Sequence, residues 1–142
     1  MNAYVDSSVL VSSYITDAHS ARVDQRMILG FSIWITPFNQ AELANAIHQQ
    51  VFLKRLTLVE AQKVWSEFQH DYLSGLWTPV EFPHQAWDTS IDLARKHGAT
   101  LGVRALDSLH VACALELRAK RFWTFDERQA RLAEAVGLDT SA

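Results

Sequence analysis

With 142 residues, 49% of them hydrophobic and 20% charged, the chain has the composition of one globular domain spanning 1–142, which excludes a disordered polymer. No apolar run reaches the roughly 18 residues of a membrane span, and Asp6 falls where the apolar core of a signal peptide belongs. A net charge of −3 argues against a broad nucleic-acid-coating surface, and a lone Cys113 cannot form an internal disulfide, so a cytoplasmic, membrane-free protein is expected.

In chain order, Asn2-Ala-Tyr-Val5 reads as a short buried strand that ends at Asp6, with a helix expected over about Ser8 to Tyr14. A second helix is expected from about His19 to Leu29, closed by Gly30. Ser32-Ile-Trp-Ile-Thr36 is rich in β-formers, and Pro37 suits the start of a helix. That helix is expected over about Asn39 to Lys54, with Glu42 in its first turn and Leu43, Ile47 and Val51 at helical spacing. Thr57-Leu-Val-Glu60 is a capping-box pattern opening a helix to about Leu73. Leu76 to Phe82 holds a short strand that Pro79 confines to an edge or a strand start. A helix from about His84 to His97 is expected to stop at Gly98. From Leu106 to Leu115 nearly every residue is apolar or small, which predicts a helix buried on most sides with Asp107 near its first turn. Arg121 to Phe125 reads as a strand ending at Asp126, followed by a helix over about 127–136 and a last short strand near Leu138. Strands and helices alternate, so the expected fold is a three-layer α/β/α domain with a mostly parallel central sheet.

In such sheets ligands bind beyond the carboxyl ends of the strands, where Asp6 and Asp126 fall. Each acid has a bland reading. Asp6 ends a strand in a turn, Glu42 is an exposed helical acid, and Asp126 is an N-cap with Gln129 as its box partner. The helix dipole stabilises Asp107 by only about 0.3–1 kcal/mol, against the several kcal/mol that burying an unpaired ion costs, so Asp107 needs a partner. If the four meet, each pair about 4 Å apart costs roughly 4 kcal/mol at an effective dielectric of about 20. A cation relieves that cost. Hard oxygen donors without a Cys or His cluster favour Mg²⁺ or Mn²⁺ over zinc, and such a site activates water against a phosphodiester.

Four motifs carry a resemblance. They are Tyr-Val-Asp6-Ser-Ser, Asn-Gln-Ala-Glu42-Leu-Ala, Arg-Ala-Leu-Asp107-Ser-Leu-His-Val-Ala and Thr124-Phe-Asp126-Glu-Arg-Gln, and they bracket nearly the whole chain. In this order and spacing the chain resembles the PIN domain, and most closely the VapC-like toxins of bacterial toxin–antitoxin pairs. The resemblance implies a metal-dependent ribonuclease in which Asp6, Glu42, Asp107 and Asp126 surround one or two Mg²⁺ or Mn²⁺ ions. It places supporting hydroxyls at Ser8 and Thr124, and a structured tRNA or rRNA as substrate. Where many relatives have Asn between the Thr and the Asp of the last motif, this chain has Phe125. Homodimerisation and silencing by a small antitoxin are also implied. The antitoxin would lie in a groove for which Trp34, Phe38, Phe52, Trp65 and Phe68 are candidate lining, core packing being the plainer reading of each.

His110, three residues after Asp107, is either a helper of the site or a buried, hydrogen-bonded histidine. Arg104, three residues before Asp107, is a candidate for phosphate or for the acids, and equally for a plain surface role. Lys54-Arg55, Arg95-Lys96 and the run Arg118 to Arg121 read as solvated helix ends or as RNA backbone contacts. Cys113 reads as a core residue. Three rivals stand beside the toxin: a PIN nuclease outside any toxin pair, a phosphotransfer protein of the receiver or haloacid-dehalogenase type, and an inactive binding module. The dehalogenase type expects Asp where Ser8 stands, the receiver type wants a late strand-end Lys, and an inactive module would lack one of the acids, all of which are present.

Overall fold

The computed structural model describes residues 1–15, 20–27 and 29–141. Among these, the chain runs β1 (Asn2–Val5), α1 (Ser7–Tyr14), α2 (Ser20–Met27), β2 (Ser32–Ile35), α3 (Pro37–Phe52), α4 (Leu58–Leu73), β3 (Thr78–Pro79), α5 (Ala86–Leu101), α6 (Ala105–Glu116), β4 (Arg121–Trp123) and α7 (Glu127–Ala135). All strand pairs are parallel, in the order β3-β2-β1-β4. The N-terminal strand is therefore internal, with Tyr4 opposite Trp34 on one side and Phe122 on the other.

Alternation along β1 divides the core in two. Ala3 and Val5 pack with Ile33, Ile35, Leu43, Ile47, Phe68 and Trp123 under the helices α1 to α4. Tyr4 points the opposite way, to Phe122, Leu109, Ala112 and Leu132 under α5 to α7. The expected α/β/α layering is what forms, and α6 is as buried as its composition predicts, with every residue from Asp107 to Ala114 buried.

Several boundaries differ from those expected. The helix α3 begins at Pro37 because Thr36 caps it, with Asn39 completing a capping box, so Glu42 lies in the second turn and not the first. The capping box of Thr57 and Glu60 forms as expected, at 3.1 and 2.9 Å. Gly98 does not stop α5; the helix continues to Leu101 and ends at Gly102, which adopts φ +64°. A glycine inside a helix costs only about 1 kcal/mol. The left-handed conformation at Gly102 is the stricter requirement. No strand forms near Leu138 among the described residues, although the Phe122 N–H donates to the Asp139 carbonyl at 2.9 Å. β3 shrinks to two residues and lies at the sheet edge, where Pro79 needs no ladder donor. His19, the expected start of α2, and Ile28, near its expected end, lie outside the described residues.

Candidate acidic site at the carboxyl edge of the sheet

Parallel strands deliver their carboxyl ends to one edge, and three of the four acids come after strands there. Asp6 succeeds β1, Glu42 is carried by the helix after β2, and Asp126 comes three residues after the end of β4. Asp107, in the first turn of α6, reaches the same edge from the neighbouring layer.

Asp6 is nearly inaccessible (5% exposed) and is both the N-cap of α1 and the centre of a hydrogen-bond set. Its Oδ1 accepts from the Ser8 hydroxyl at 2.6 Å and the Val9 N–H at 3.3 Å, and its Oδ2 from the Thr124 hydroxyl at 2.7 Å. Thr124 Oγ1 in turn accepts from the Asp126 N–H at 2.9 Å, and Ser8 Oγ from the Phe125 N–H at 3.1 Å. The hydroxyls of Ser8 and Thr124 thus tie the β1 end to the β4 end. Burial pushes the Asp6 carboxyl up; the nearby His110 and the Ser8, Thr124 and Val9 donors pull it part of the way back.

Glu42 is held from two sides. Its Oε1 accepts from Ser7 Oγ and lies 2.5 Å from His110 Nε2. The other ring nitrogen, Nδ1, is 2.8 Å from the Tyr4 hydroxyl, and the imidazole stacks on Phe38 with centroids 4.3 Å apart. Donation by Tyr4 to Nδ1 and by Nε2–H to the carboxylate satisfies every group in this chain of bonds. His110 is therefore a buried, hydrogen-bonded histidine that also touches a site acid, uniting the two readings its position allowed. Burial alone would raise the Glu42 carboxyl; His110 and the Ser7 hydroxyl outweigh it and hold the carboxyl below its usual value.

Asp107 and Asp126 share an arginine. Arg104 Nε is 3.2 Å from Asp107 Oδ2, and its terminal nitrogen is 3.7 Å from Asp126 Oδ2. Of the roles open to Arg104, the structure adopts contact with the acids. Asp126 also caps α7, accepting from the Gln129 N–H at 2.9 Å. The Gln129 side chain does not return to the cap as a box partner; buried, it donates to the Asp107 carbonyl at 3.2 Å and ties α7 to α6.

Two hollows open onto these groups. A groove of 680 Å³ is bordered by Ser7, Ser8, Glu42, Asn45, Phe125 and Asp126. Next to it, a 430 Å³ hollow is lined by Glu42, Arg104, Ala105, Leu106 and Asp107. Glu42 lines both hollows, Asp126 the first and Asp107 the second, while the nearly inaccessible Asp6 lines neither, and among the described residues no three His, Cys, Asp or Glu side chains converge closely enough to chelate an ion as they stand. The donor chemistry fits a hard divalent cation: all oxygen, a net excess of negative charge, and one exposed guanidinium that a cation can replace.

The five aromatics proposed as one groove do not form one. Phe38 lies beside the acids, under His110. Trp65 and Phe68 line a separate 210 Å³ pocket with Gln40 and Tyr72. Phe52 projects from the end of α3, 83% exposed, and Trp34 is half-buried in β2 and lines neither. Phe68 is core. The sequence assigned no role to the side chains of Ser7 and Asn39, and for Gln129 it suggested a cap contact in place of the bond to Asp107. Asn39 is fully buried, accepts from the Thr36 N–H and hydroxyl at 2.8 and 3.0 Å and donates to the Val5 carbonyl at 2.8 Å, so it fixes the end of β1 against α3. Its spacing of three from Thr36 is that of a capping box, but the pattern calls for Glu or Gln and this chain has Asn there.

A parallel α/β/α domain with acids from four elements at the carboxyl edge of its sheet belongs to a recognisable class of acid-cluster domains. The model of the PIN domain matches residues 3–135, and the chain belongs to that family. Solved structures share the fold at low identity. VapBC2 from Rickettsia felis bound to a DNA fragment from its promoter is 16% identical, with a TM-score of 0.67 over 99% of this chain and 98% of that one. FitAcB from Neisseria gonorrhoeae is 15% identical, with a TM-score of 0.70 over 99% and 96%. VapC20 from Mycobacterium tuberculosis, a toxin that cleaves the sarcin–ricin loop, is 12% identical, with a TM-score of 0.69 over 99% and 98%. Among curated protein sequences none matches. No helix among the described residues is long and apolar enough to cross a membrane.

Proposed function

We propose that this protein is a Mg²⁺- or Mn²⁺-dependent endoribonuclease and the toxin of a toxin–antitoxin pair, working in the cytoplasm on a structured RNA such as tRNA or rRNA. The reading rests on one observation above others: Asp6, Glu42, Asp107 and Asp126 come to one edge of the sheet, and among the described residues the only full cation paired with them is Arg104, Glu42 being hydrogen-bonded by the imidazole of His110. Membership of the PIN family and the likeness in fold to VapC20 and VapBC2 support it.

The four acids would hold the metal. When bound, such an ion lowers the pKa of water and stabilises charge building on a phosphodiester. The chain's own groups have the tasks of orientation. Ser8 and Thr124 fix both oxygens of Asp6, so its carboxylate has little rotational freedom to lose on binding. Ser7 and His110 fix Glu42, which lines both hollows, and favour its ionised form. Arg104, 72% exposed, is free to swing from the acids to a phosphate. We assign a small antitoxin and a homodimer as partners; Trp87 and Ile91, exposed one turn apart on α5, supply apolar surface for the latter.

The test is cleavage of total cellular RNA by the purified, antitoxin-free protein in EDTA, Mg²⁺ or Mn²⁺, beside a folded Asp107→Asn variant. Discrete fragments that need metal and vanish in the variant are expected, and end-mapping then identifies the target. A folded, metal-binding protein that leaves all RNA intact would favour an inactive PIN-like binding module. A PIN nuclease outside any toxin pair is separated by the absence of growth arrest on expression and of a neighbouring antitoxin gene.

A further inference from the structure

Arg22 is a cation without an anion. It is exposed on α2, and among the described residues no carboxylate pairs with it. Its guanidinium carbon lies instead 5.1 Å from the centroid of the Phe125 ring. The next residue, Val23, is buried in the core under α1 to α4, so the backbone that carries Arg22 is anchored. A guanidinium resting on an aromatic face uses its flat side for that contact. Its N–H donors lie along the edge of the guanidinium plane and stay available to an acceptor.

The ring beneath it is fixed next to the acids. Phe125 lies between Thr124, whose hydroxyl donates to Asp6, and Asp126, and its N–H donates to Ser8, which also holds Asp6. It borders the 680 Å³ groove together with Glu42 and Asp126. Arg22 is thereby held beside the acid cluster without pairing with it. Arg104 stands in contrast: it reaches the cluster from α6 and is paired with Asp107 and Asp126. The charge of Arg104 is taken up by the acids, whereas that of Arg22 is left over. An uncompensated guanidinium at the rim of an acidic site suits an anionic ligand, and its planar fork matches the oxygens of a phosphate.

We propose that Arg22, held on the face of Phe125, binds a backbone phosphate of the RNA beside the scissile one, so that α2 supplies a positioning residue for the substrate. This rests on the ribonuclease reading and deepens it. Because Phe125 is tied through Ser8 and Thr124 to Asp6, a phosphate held by Arg22 sets the register of the RNA backbone against the acids. A contact of this kind carries no base information, so it acts alike on RNAs of different sequence.

The experiment measures binding of two fluorescein-labelled RNA hairpins of unrelated sequence, by anisotropy at constant Ca²⁺ and a series of KCl concentrations. Wild type, Arg22→Gln and Arg22→Lys are compared. Each phosphate neutralised by the protein contributes about 0.7 to 0.9 to the slope of log affinity against log salt. Arg22→Gln is expected to flatten the slope by about that amount and to weaken both hairpins by about 2- to 10-fold at low salt. Arg22→Lys should keep the slope and lose part of the affinity, because the charge stays and the fork goes. A role confined to packing α2 on Phe125 would lower the melting temperature and leave the slope alone, so an unchanged slope in Arg22→Gln overturns the proposal. Loss for one hairpin only also overturns it, since that is base readout. Modification of wild-type Arg22 by phenylglyoxal, mapped by mass spectrometry, needs no variant: saturating hairpin should protect the residue, and equal labelling with and without RNA overturns the contact even where Arg22→Gln fails to fold. Metal-dependent cleavage of total RNA is scored separately on wild type. Cleavage with an unchanged slope sinks the Arg22 contact and spares the nuclease; a flattened slope without cleavage does the reverse.

Discussion

His110 holds two partners through two different nitrogens, and this allows its contributions to be separated by substitution. The amide of asparagine reaches the place of Nδ1, and that of glutamine the place of Nε2. His110→Gln should therefore keep the contact to Glu42 and lose the one to Tyr4, while His110→Asn should do the opposite. Tyr4 is fully buried, so an unpaired hydroxyl there costs about 1–3 kcal/mol. Loss of the ring stacked on Phe38 adds about 0.5–1.5 kcal/mol in either variant. The predicted destabilisation is about 2–4 kcal/mol for His110→Gln and about 1 kcal/mol for His110→Asn, measured by urea unfolding without metal. Metal affinity should move the other way. A lost partner that orients a ligand costs about 10- to 100-fold, so Mn²⁺ titration calorimetry should show that loss in His110→Asn and little change in His110→Gln. Adding Tyr4→Phe to His110→Gln should recover part of the lost stability, because no hydroxyl is then stranded. If the two variants lose stability and metal affinity in equal proportion, the division of labour is wrong and the histidine acts only as packing.

Three other perturbations test the same geometry. Because burial lifts Asp6 above its ordinary value of 3.8, the folded protein holds that proton more tightly than the unfolded chain, and the metal-free protein loses stability as pH rises from there through the raised value. Asp6→Asn should accordingly melt higher than wild type in EDTA at pH 7, with the gap closing toward pH 4; a wild type that is the more stable at pH 7 would refute this. Arg104 competes with any cation for Asp107 and Asp126, and since the arginine is exposed, Arg104→Gln should tighten Mn²⁺ binding by only about 2- to 5-fold, with weaker binding counting against competition. Asn39→Ala strands the Thr36 N–H and the Val5 carbonyl in the core, so chemical unfolding should report a loss of about 2–5 kcal/mol; less than about 1 kcal/mol would mean that water replaces the amide.

The parallel α/β/α order was readable because β1 and β2 are short, largely apolar and closed by a polar residue, Asp6 and Thr36, and because Asp126 follows the apolar end of β4 within three residues. Asp107 was readable from its surroundings, an acid opening a helix with no polar face. What could not be read depends on partners far away in sequence. Gly98 and Gly102 look alike as letters; the difference is whether the chain must turn left-handed, and α5 runs on through Gly98 to keep packing on α6. The aromatics scatter because parity along a strand and phase around a helix send neighbours to different faces. Phe38 goes to His110, Phe52 to solvent and Phe68 to the core, although all three belong to consecutive helices. Gln129 has the spacing of a box partner for Asp126, yet α6 offers its side chain the Asp107 carbonyl, and that longer-range bond is the one it makes.

The partners of the acids also explain how such a cluster is compatible with a folded protein. Asp6 is held by two hydroxyls and a backbone N–H, Glu42 by a hydroxyl and an imidazole, Asp126 by the backbone N–H of Gln129. Neutral donors fix where each carboxylate points while leaving most of its charge in place. A set of lysines and arginines would have stabilised the empty site more, but a metal would then have to displace every one of them. Here the one full cation paired with the acids among the described residues is Arg104, on a long and mostly exposed side chain. Orientation is thus supplied by buried neutral groups and neutralisation by a single removable one. That separation predicts a folded metal-free protein whose site is already arranged, so metal binding should raise its melting temperature with little change in far-UV circular dichroism. A large gain of helix on adding Mn²⁺ would mean that the ion, and not the hydroxyls, assembles the site.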